Sequence, residues 1–281
     1  MILRLSAASL LLGLVGCQST GKAPEPDVQT VRVVLLAGQS NMGGSGRIDD
    51  LPAELAAPLE AVPMWDLNGT GWAPMQGGPW ANRKSFGPEI AFAHAVAEAG
   101  QDIRILKFSK GGTGLVHDWN PAEEGSLYHR LIGHCQAAEA SLAPARVEWA
   151  GLLWMQGEQD CKDSTDASAA EAYQANLENL IARIREALDT PDLPVVIGRL
   201  HDSLGETKPH VGLDFGQYEK VRAAQVRVAE ADANIEWVDT DEYPLKPDLI
   251  HFDTQGCLRL GEDFAETWLK MTAPRPGARL T

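Results

Sequence analysis

From residue 31 onward, short apolar runs alternate with longer stretches of helical periodicity, and this alternation constrains the fold more than any other property of the chain. Residues 31–37, 103–108, 147–155, 195–200 and 235–238 read as strands. Residues 88–99, 127–142, 169–188, 218–231 and 254–271 read as helices; in the third, Leu177, Leu180, Ile181, Ile184 and Leu188 recur at helical spacing. The runs around Leu35 and Leu152 are almost continuously apolar, as strands covered on both faces must be. Strands and helices in this order imply a mostly parallel sheet between two helical layers, joined by right-handed crossovers. The predicted fold is therefore an α/β three-layer sandwich in one domain, residues 31–272, with a short tail over 273–281. Residues 44–86, rich in Gly, Pro and Trp, read as irregular.

The chain has 281 residues, 44% of them hydrophobic, which suits one sizeable core. Its net charge of -15 argues against nucleic-acid partners, whose phosphates are bound through clustered Lys and Arg. At the N-terminus, Arg4 is the only charge before the apolar run 5–15, which is too short to span a bilayer. The run ends in Leu14-Val15-Gly16-Cys17, which resembles a bacterial lipobox, where the cysteine is lipidated after cleavage. On that pattern, 1–16 is a lipoprotein signal peptide, Cys17 the lipid anchor and 17–30 a flexible tether. The expected location is the bacterial cell envelope, with membrane contact only through the anchor. The plainer alternative is an ordinary signal peptide whose cysteine is incidental.

In a parallel sheet the strand ends that lead into helices share one edge, where ligands gather. Four segments with unusual chemistry fall there: Gly38-Gln39-Ser40-Asn41-Met42, Lys110-Gly111-Gly112-Thr113, Trp154-Met155-Gln156-Gly157-Glu158-Gln159-Asp160 and Asp248-Leu249-Ile250-His251-Phe252-Asp253. Each alone is a weak signal; a Ser/Asn-rich turn or a polar loop is the commoner meaning. Together, and in this order, they resemble the SGNH-hydrolase superfamily, and more narrowly its carbohydrate-esterase branch of acetylxylan esterases and sialate O-acetylesterase-like domains. The resemblance runs from Gly38 to about Gly261 and implies a flavodoxin-like sandwich, a serine nucleophile in the first block and an Asp-x-x-His pair in the last. Gln156 stands where that branch carries glutamine and other SGNH enzymes carry asparagine.

The chemistry of the residues points the same way. Ser40 needs a general base to become a nucleophile, and His251 titrates near neutral pH. Asp248, three residues earlier, can reach the other imidazole nitrogen and fix its tautomer. Negative charge developing in the transition state needs donors, and the Ser40 amide, the Gly112 amide and the Gln156 carboxamide are available. His201, at the end of another strand, competes with His251 as base; Asp239 and Asp241 compete with Asp248. Asn41, Asp118, Trp119 and Glu158 are the candidate substrate contacts, although for Asn41 and Glu158 bracing a loop is the commoner role. Trp65, Trp72 and Trp80 offer either sugar-stacking faces or core plugs. Cys161 and Cys257 each follow a site motif and form a candidate bridge. No metal motif is present, and a serine mechanism needs no cofactor.

These features imply a serine esterase acting on an O-acetylated carbohydrate, with acetylxylan and O-acetyl sialic acid both open. Two readings compete: a non-catalytic carbohydrate-binding lipoprotein, and a serine esterase or thioesterase for a non-sugar ester.

Overall fold

In a computed structural model, residues 28–68, 71–76, 84–162, 168–205 and 214–273 are described. The expected signal peptide (1–16), Cys17 and the expected tether as far as residue 27, Trp80, and the expected tail beyond residue 273 lie outside them. In chain order the elements are β1 (Thr30–Gly38), α1 (Ser40–Gly43), β2 (Gly46–Arg47), α2 (Ala53–Ala56), β3 (Leu59–Asp66), β4 (Gly71–Met75), β5 (Ser85–Phe86), α3 (Glu89–Glu98), β6 (Arg104–Ser109), α4 (Leu127–Ser141), β7 (Arg146–Met155), α5 (Ser168–Ala187), β8 (Val195–Gly198), α6 (Tyr218–Ala231), β9 (Ile235–Val238) and α7 (Thr254–Thr272).

Seven strands form the main sheet in the order β4-β3-β6-β1-β7-β8-β9. All pair in parallel except the β3–β4 hairpin at one edge. The five strands from β6 to β9 follow the flavodoxin-like order, whose direction of winding reverses beside β1. Right-handed crossovers place α3 and α7 against each other on one face and α4, α5 and α6 side by side on the other. The α/β sandwich expected from the strand and helix pattern is the one observed, with helix and strand ends shifted by no more than two residues.

The core is densest at the sheet centre. Val33 to Ala37 of β1 and Leu152 to Met155 of β7 are buried on both faces, which explains their lack of alternation. Between Val33 and Val34 the β1–β7 register slips by one residue, leaving Ala150 as a bulge. The carbonyl so freed accepts the Trp268 indole N–H at 2.9 Å and ties α7 to the sheet. Trp268 also packs edge-on to Phe92 of α3, so one tryptophan joins both helices of that layer to β7.

The stretch 44–86 is not irregular, as its composition suggested. It contributes β3 and β4 to the main sheet and the small β2–β5 ribbon. Pro63 hid β3, because proline in a strand normally marks an edge or a break. Here the β3–β4 register shifts between Leu59 and Pro63, and beyond that irregularity Pro63 lies opposite Pro74. No described helix is long and apolar enough to cross a membrane.

Candidate active site

Ser40 follows β1 at the point where the sheet changes its winding direction. The turn depends on Gly38, whose φ of 148° is one L side chains rarely adopt and where an added Cβ would sit 2.0 Å from the Met155 carbonyl oxygen. The Gln39 amide donates to that same oxygen at 2.9 Å, and the Lys110 amide donates to the Gly38 carbonyl at 3.1 Å. The ends of β1, β6 and β7 are thereby stitched together beneath the serine. Ser40 then opens α1, a single turn whose first amides have no intrahelical acceptor.

Ser40 Oγ lies 3.1 Å from His251 Nε2, and His251 Nδ1 lies 2.8 Å from Asp248 Oδ2. Asp248 Oδ1 accepts the backbone N–H groups of Ile250 and His251, both at 2.9 Å. Burial alone would raise the Asp248 carboxyl. The His251 amide and imidazole, helped by the Ile250 amide, outweigh that and hold it below the ordinary carboxylate range. This tight turn needs a left-handed residue, and Leu249 supplies it at a φ of 55°. Both side chains of the pair stay about one-third exposed, so the site is open to solvent and to a ligand. A hydroxyl, an imidazole and an ionised carboxylate in hydrogen-bonded series can transfer the hydroxyl proton as the oxygen attacks a carbonyl.

The glycine turn lies directly against the serine: a Cβ on Gly111 would stand 3.4 Å from that of Ser40. Gly112 is exposed and has a φ of 69°, with open space where a side chain would be. A backbone amide there can face a ligand without obstruction.

Four expected contacts are placed differently. Gln156 is no oxyanion donor, for its carboxamide is fully buried and both Nε2 protons are committed. They go to the Thr113 carbonyl at 2.8 Å and to Asp160 Oδ2 at 2.5 Å. Asp160 also accepts the Leu115 amide at 2.8 Å, so this buried pair holds the glycine turn on the end of β7. Burial pushes the Asp160 carboxyl up to about 6, against the opposing bonds from Gln156 and Leu115. Trp119 is not a sugar platform. It is 0% exposed, packs edge-on to Trp154 and Phe108, and donates its indole N–H to Thr113 Oγ1 at 3.0 Å.

Asn41 and Glu158 brace the nucleophile turn instead of meeting substrate. Asn41 Nδ2 donates to Glu158 Oε1 at 2.7 Å and to the Ile250 carbonyl at 3.0 Å, while Oδ1 accepts the Phe252 amide at 3.1 Å. One buried amide thus fixes the serine turn to the segment carrying His251. Glu158 is also buried, and burial raises its carboxyl despite the Asn41 bond. Of the four expected substrate contacts, only Asp118 keeps exposed surface; one of its oxygens accepts the Gly114 amide at 2.9 Å.

The rivals are occupied elsewhere. His201 Nδ1 accepts the Ser203 amide at 2.9 Å and its ring leans on Phe252. Asp239 and Asp241 pair with Arg199, and Asp241 also with Arg222. Cys161 and Cys257 form no bridge; each is buried as a free thiol directed to a local carbonyl, that of Glu158 and of Phe252 respectively. Trp65 is core, while Trp72 is half-buried with Arg104 over its ring.

One element of the site has no counterpart among the expected residues. Lys107 and Glu89 form an ion pair at 2.5 Å with each side chain only 1% exposed, and Lys107 Nζ also donates to the Gly43 carbonyl at 3.0 Å. It sits beneath α1 and fixes the far end of the turn that begins at Ser40.

Comparison with known proteins agrees with this geometry. Residues 30–270 match the sequence family described as carbohydrate esterase, sialic acid-specific acetylesterase. A protein of Arabidopsis thaliana named a probable carbohydrate esterase is 28% identical over 272 residues, covering 87% of this chain and 94% of its own. The crystal structure of that plant protein superposes with a TM-score of 0.69 at 26% identity, over 85% of this chain and 98% of the other. A carbohydrate acetylesterase from Xanthomonas citri shares the fold with a TM-score of 0.63 at 20% identity, over 85% of this chain and 56% of the other.

Proposed function

The chain belongs to the carbohydrate esterase family described as sialic acid-specific acetylesterases, and is thus a carboxylic ester hydrolase; from that premise we propose that it removes O-acetyl groups from a carbohydrate through an acetyl-enzyme intermediate. Ser40 Oγ is the nucleophile, His251 Nε2 the base that takes its proton, and Asp248 the group that holds Nδ1–H and steadies the imidazolium. The single observation that carries this assignment is the unbroken series from Ser40 Oγ through His251 to Asp248 at 3.1 and 2.8 Å.

As the serine oxygen bonds to the acetyl carbon, the carbonyl oxygen becomes an oxyanion. The amides of Ser40 and Gly112 are its donors, two backbone groups in place of the three donors expected. The C–O bond to the sugar then breaks, and the sugar oxygen leaves with the proton from His251. A water molecule gives a proton to the same imidazole and attacks the acetyl-enzyme, releasing acetate and restoring Ser40. Preorganised donors at an oxyanion are worth about 10²–10³-fold each in turnover.

The test is a serine-directed fluorophosphonate combined with an acetate-release screen over acetylated polysaccharides and sialosides. Labelling at Ser40 with parallel loss of acetate release is the expected result. Retained turnover in fully labelled protein would overturn the assignment, and absence of labelling would favour a pure carbohydrate binder. Preference for longer acyl groups would point to a lipase- or thioesterase-like relative.

For location, we propose that Cys17 carries a lipid anchor. β1 begins at Thr30 and ends at Gly38, so the chain enters the domain at the end of the strand opposite Ser40. Cys17→Ala is expected to abolish incorporation of labelled lipid and to move the protein to the soluble fraction.

A further inference from the structure

The Gly112 amide is the oxyanion donor that does not belong to the nucleophile itself, and its place is set from behind by the next three residues. The Thr113 carbonyl accepts from Gln156 Nε2 at 2.8 Å, and the Leu115 amide donates to Asp160 Oδ1 at 2.8 Å. Gly114, between them, lies so close to Asp160 that an added Cβ would stand 3.2 Å from Oδ1. Asp160 Oδ2 accepts the second Gln156 N–H at 2.5 Å. A ring of hydrogen bonds thus runs from Thr113 through Gln156 and Asp160 to Leu115, with both side chains buried.

This ring is complete in one charge state. The nitrogen end of Gln156 faces two acceptors, while its Oε1 lies 3.1 Å from the Tyr173 hydroxyl, so the carboxamide gains nothing by turning round. The Leu115 donor is backbone and cannot rotate. An ionised Asp160 accepts from both; a proton on either oxygen sets donor against donor in a buried place, where the lost bond is costly. The titratable groups on the segments packed around it are Glu158 and Cys161 beside it in the chain, Tyr173 on α5, and Lys110, His117 and Asp118 on the glycine-turn segment. Burial, reinforced by Glu158, pushes the Asp160 carboxyl up to about 6 against the bonds from Gln156 and Leu115. The folded protein therefore takes up this proton more readily than the unfolded chain does, and the uptake itself costs no global stability.

We propose that Asp160 is a positioning residue for the reaction: its ionised carboxylate, acting through Gln156 and the Leu115 amide, holds the Gly112 amide in place as oxyanion donor, and proton uptake by Asp160 releases it. The proposal rests on the acetylesterase reading above and adds to that site a second acid-sensitive group besides His251.

The experiment follows kcat and KM for p-nitrophenyl acetate against pH in the wild type and in Asp160→Asn, with thermal unfolding over the same range. In the wild type, log kcat is expected to fall on the acid side with a slope near two, one proton silencing His251 as base and one releasing Gly112. Asp160→Asn sets an amide against the Gln156 N–H at every pH. Its kcat is expected to be on the order of 10²-fold lower at about pH 8, with KM little changed and an acid slope of one. A second measurement needs no variant and stands if Asp160→Asn does not fold. The Leu115 and Gly112 amide resonances of the wild type are expected to titrate together, with a midpoint of about 6.

An acid slope of one in the wild type, a Gly112 resonance that does not follow Leu115, or an Asp160→Asn protein with wild-type kcat overturns the proposal and leaves the acetylesterase reading intact. A fall in turnover that tracks loss of the folded state overturns it too. Absence of turnover at any pH, in wild-type protein that is folded, overturns the acetylesterase reading and this proposal with it.

Discussion

Alanine at Ser40 is expected to lower kcat for acetate release about 10⁴-fold or more while leaving the melting temperature almost unchanged. The large activity term follows from removing the atom proposed to bond to the acyl carbon. The small stability term follows from what that oxygen touches: a single 3.1 Å contact to an imidazole that is itself one-third exposed. The backbone of the turn is held independently, by the Gln39 and Lys110 amides and by Asn41. If Ser40 and His251 act as the unit proposed above, Ser40→Ala/His251→Ala is no worse than either single change. The measurement is turnover of p-nitrophenyl acetate, with thermal unfolding as the folding control. A Ser40→Ala protein that melts like the wild type and keeps more than a few per cent of its turnover would rule Ser40 out as the nucleophile.

The proposed Ser40–His251–Asp248 series was legible in the sequence because Ser40 follows β1 and the Asp248–His251 segment lies in the connection from β9 to α7, and a parallel sheet brings such strand-to-helix connections to one edge. His251 and Asp248 are 211 and 208 positions from Ser40, yet the shared edge of a parallel sheet is enough to predict that their segments meet. What the sequence did not disclose is which of the polar groups at that edge face outward. Gln156 follows β7 and Trp119 lies in the connection after β6, at the same sheet edge as Ser40 and His251, and their types suit an oxyanion donor and a sugar platform. Both are instead fully buried, committed to Thr113 and its neighbours. Exposure within a turn depends on how neighbouring turns cross it, and no local pattern records that. β3 was lost for a different reason: Pro63 is a strand breaker by type, and only the register shift against β4 accommodates it.

The buried ion pair did leave a trace in the sequence, since Lys107 is the lone charge inside the otherwise apolar run Ile105-Leu106-Lys107-Phe108. Its partner was masked, because a glutamate just after Pro88 looks like ordinary first-turn charge complementing a helix dipole. The structure makes the pair a support of the nucleophile turn, and the second large prediction follows. Lys107→Met would leave the Glu89 carboxylate buried with only the Gly87 amide, at 3.1 Å, as donor, and would leave the Gly43 carbonyl without its ammonium. Removing one partner of a buried pair typically destabilises by ~3–5 kcal/mol, because the remaining charge is neither solvated nor compensated.

At about 2–4 °C per kcal/mol for a chain of this size, Lys107→Met should melt roughly 10 °C below the wild type. Lys107→Met/Glu89→Gln removes both charges and is expected to recover a good part of that loss, since a neutral pair carries no ionic desolvation. Recovery of stability should not bring full recovery of kcat. The methionine cannot donate to the Gly43 carbonyl, so the far end of the one-turn helix that starts at Ser40 stays less firmly held. The two variants therefore separate what Ser40→Ala cannot: stability lost through an orphaned charge, and turnover lost through a loosened turn. Thermal unfolding of the single and double variants, with turnover measured well below their melting points, reads both. A Lys107→Met protein melting within about 2 °C of the wild type would show that the pair contributes little to the fold. A double variant with wild-type turnover would show that the Lys107–Gly43 bond does not position Ser40.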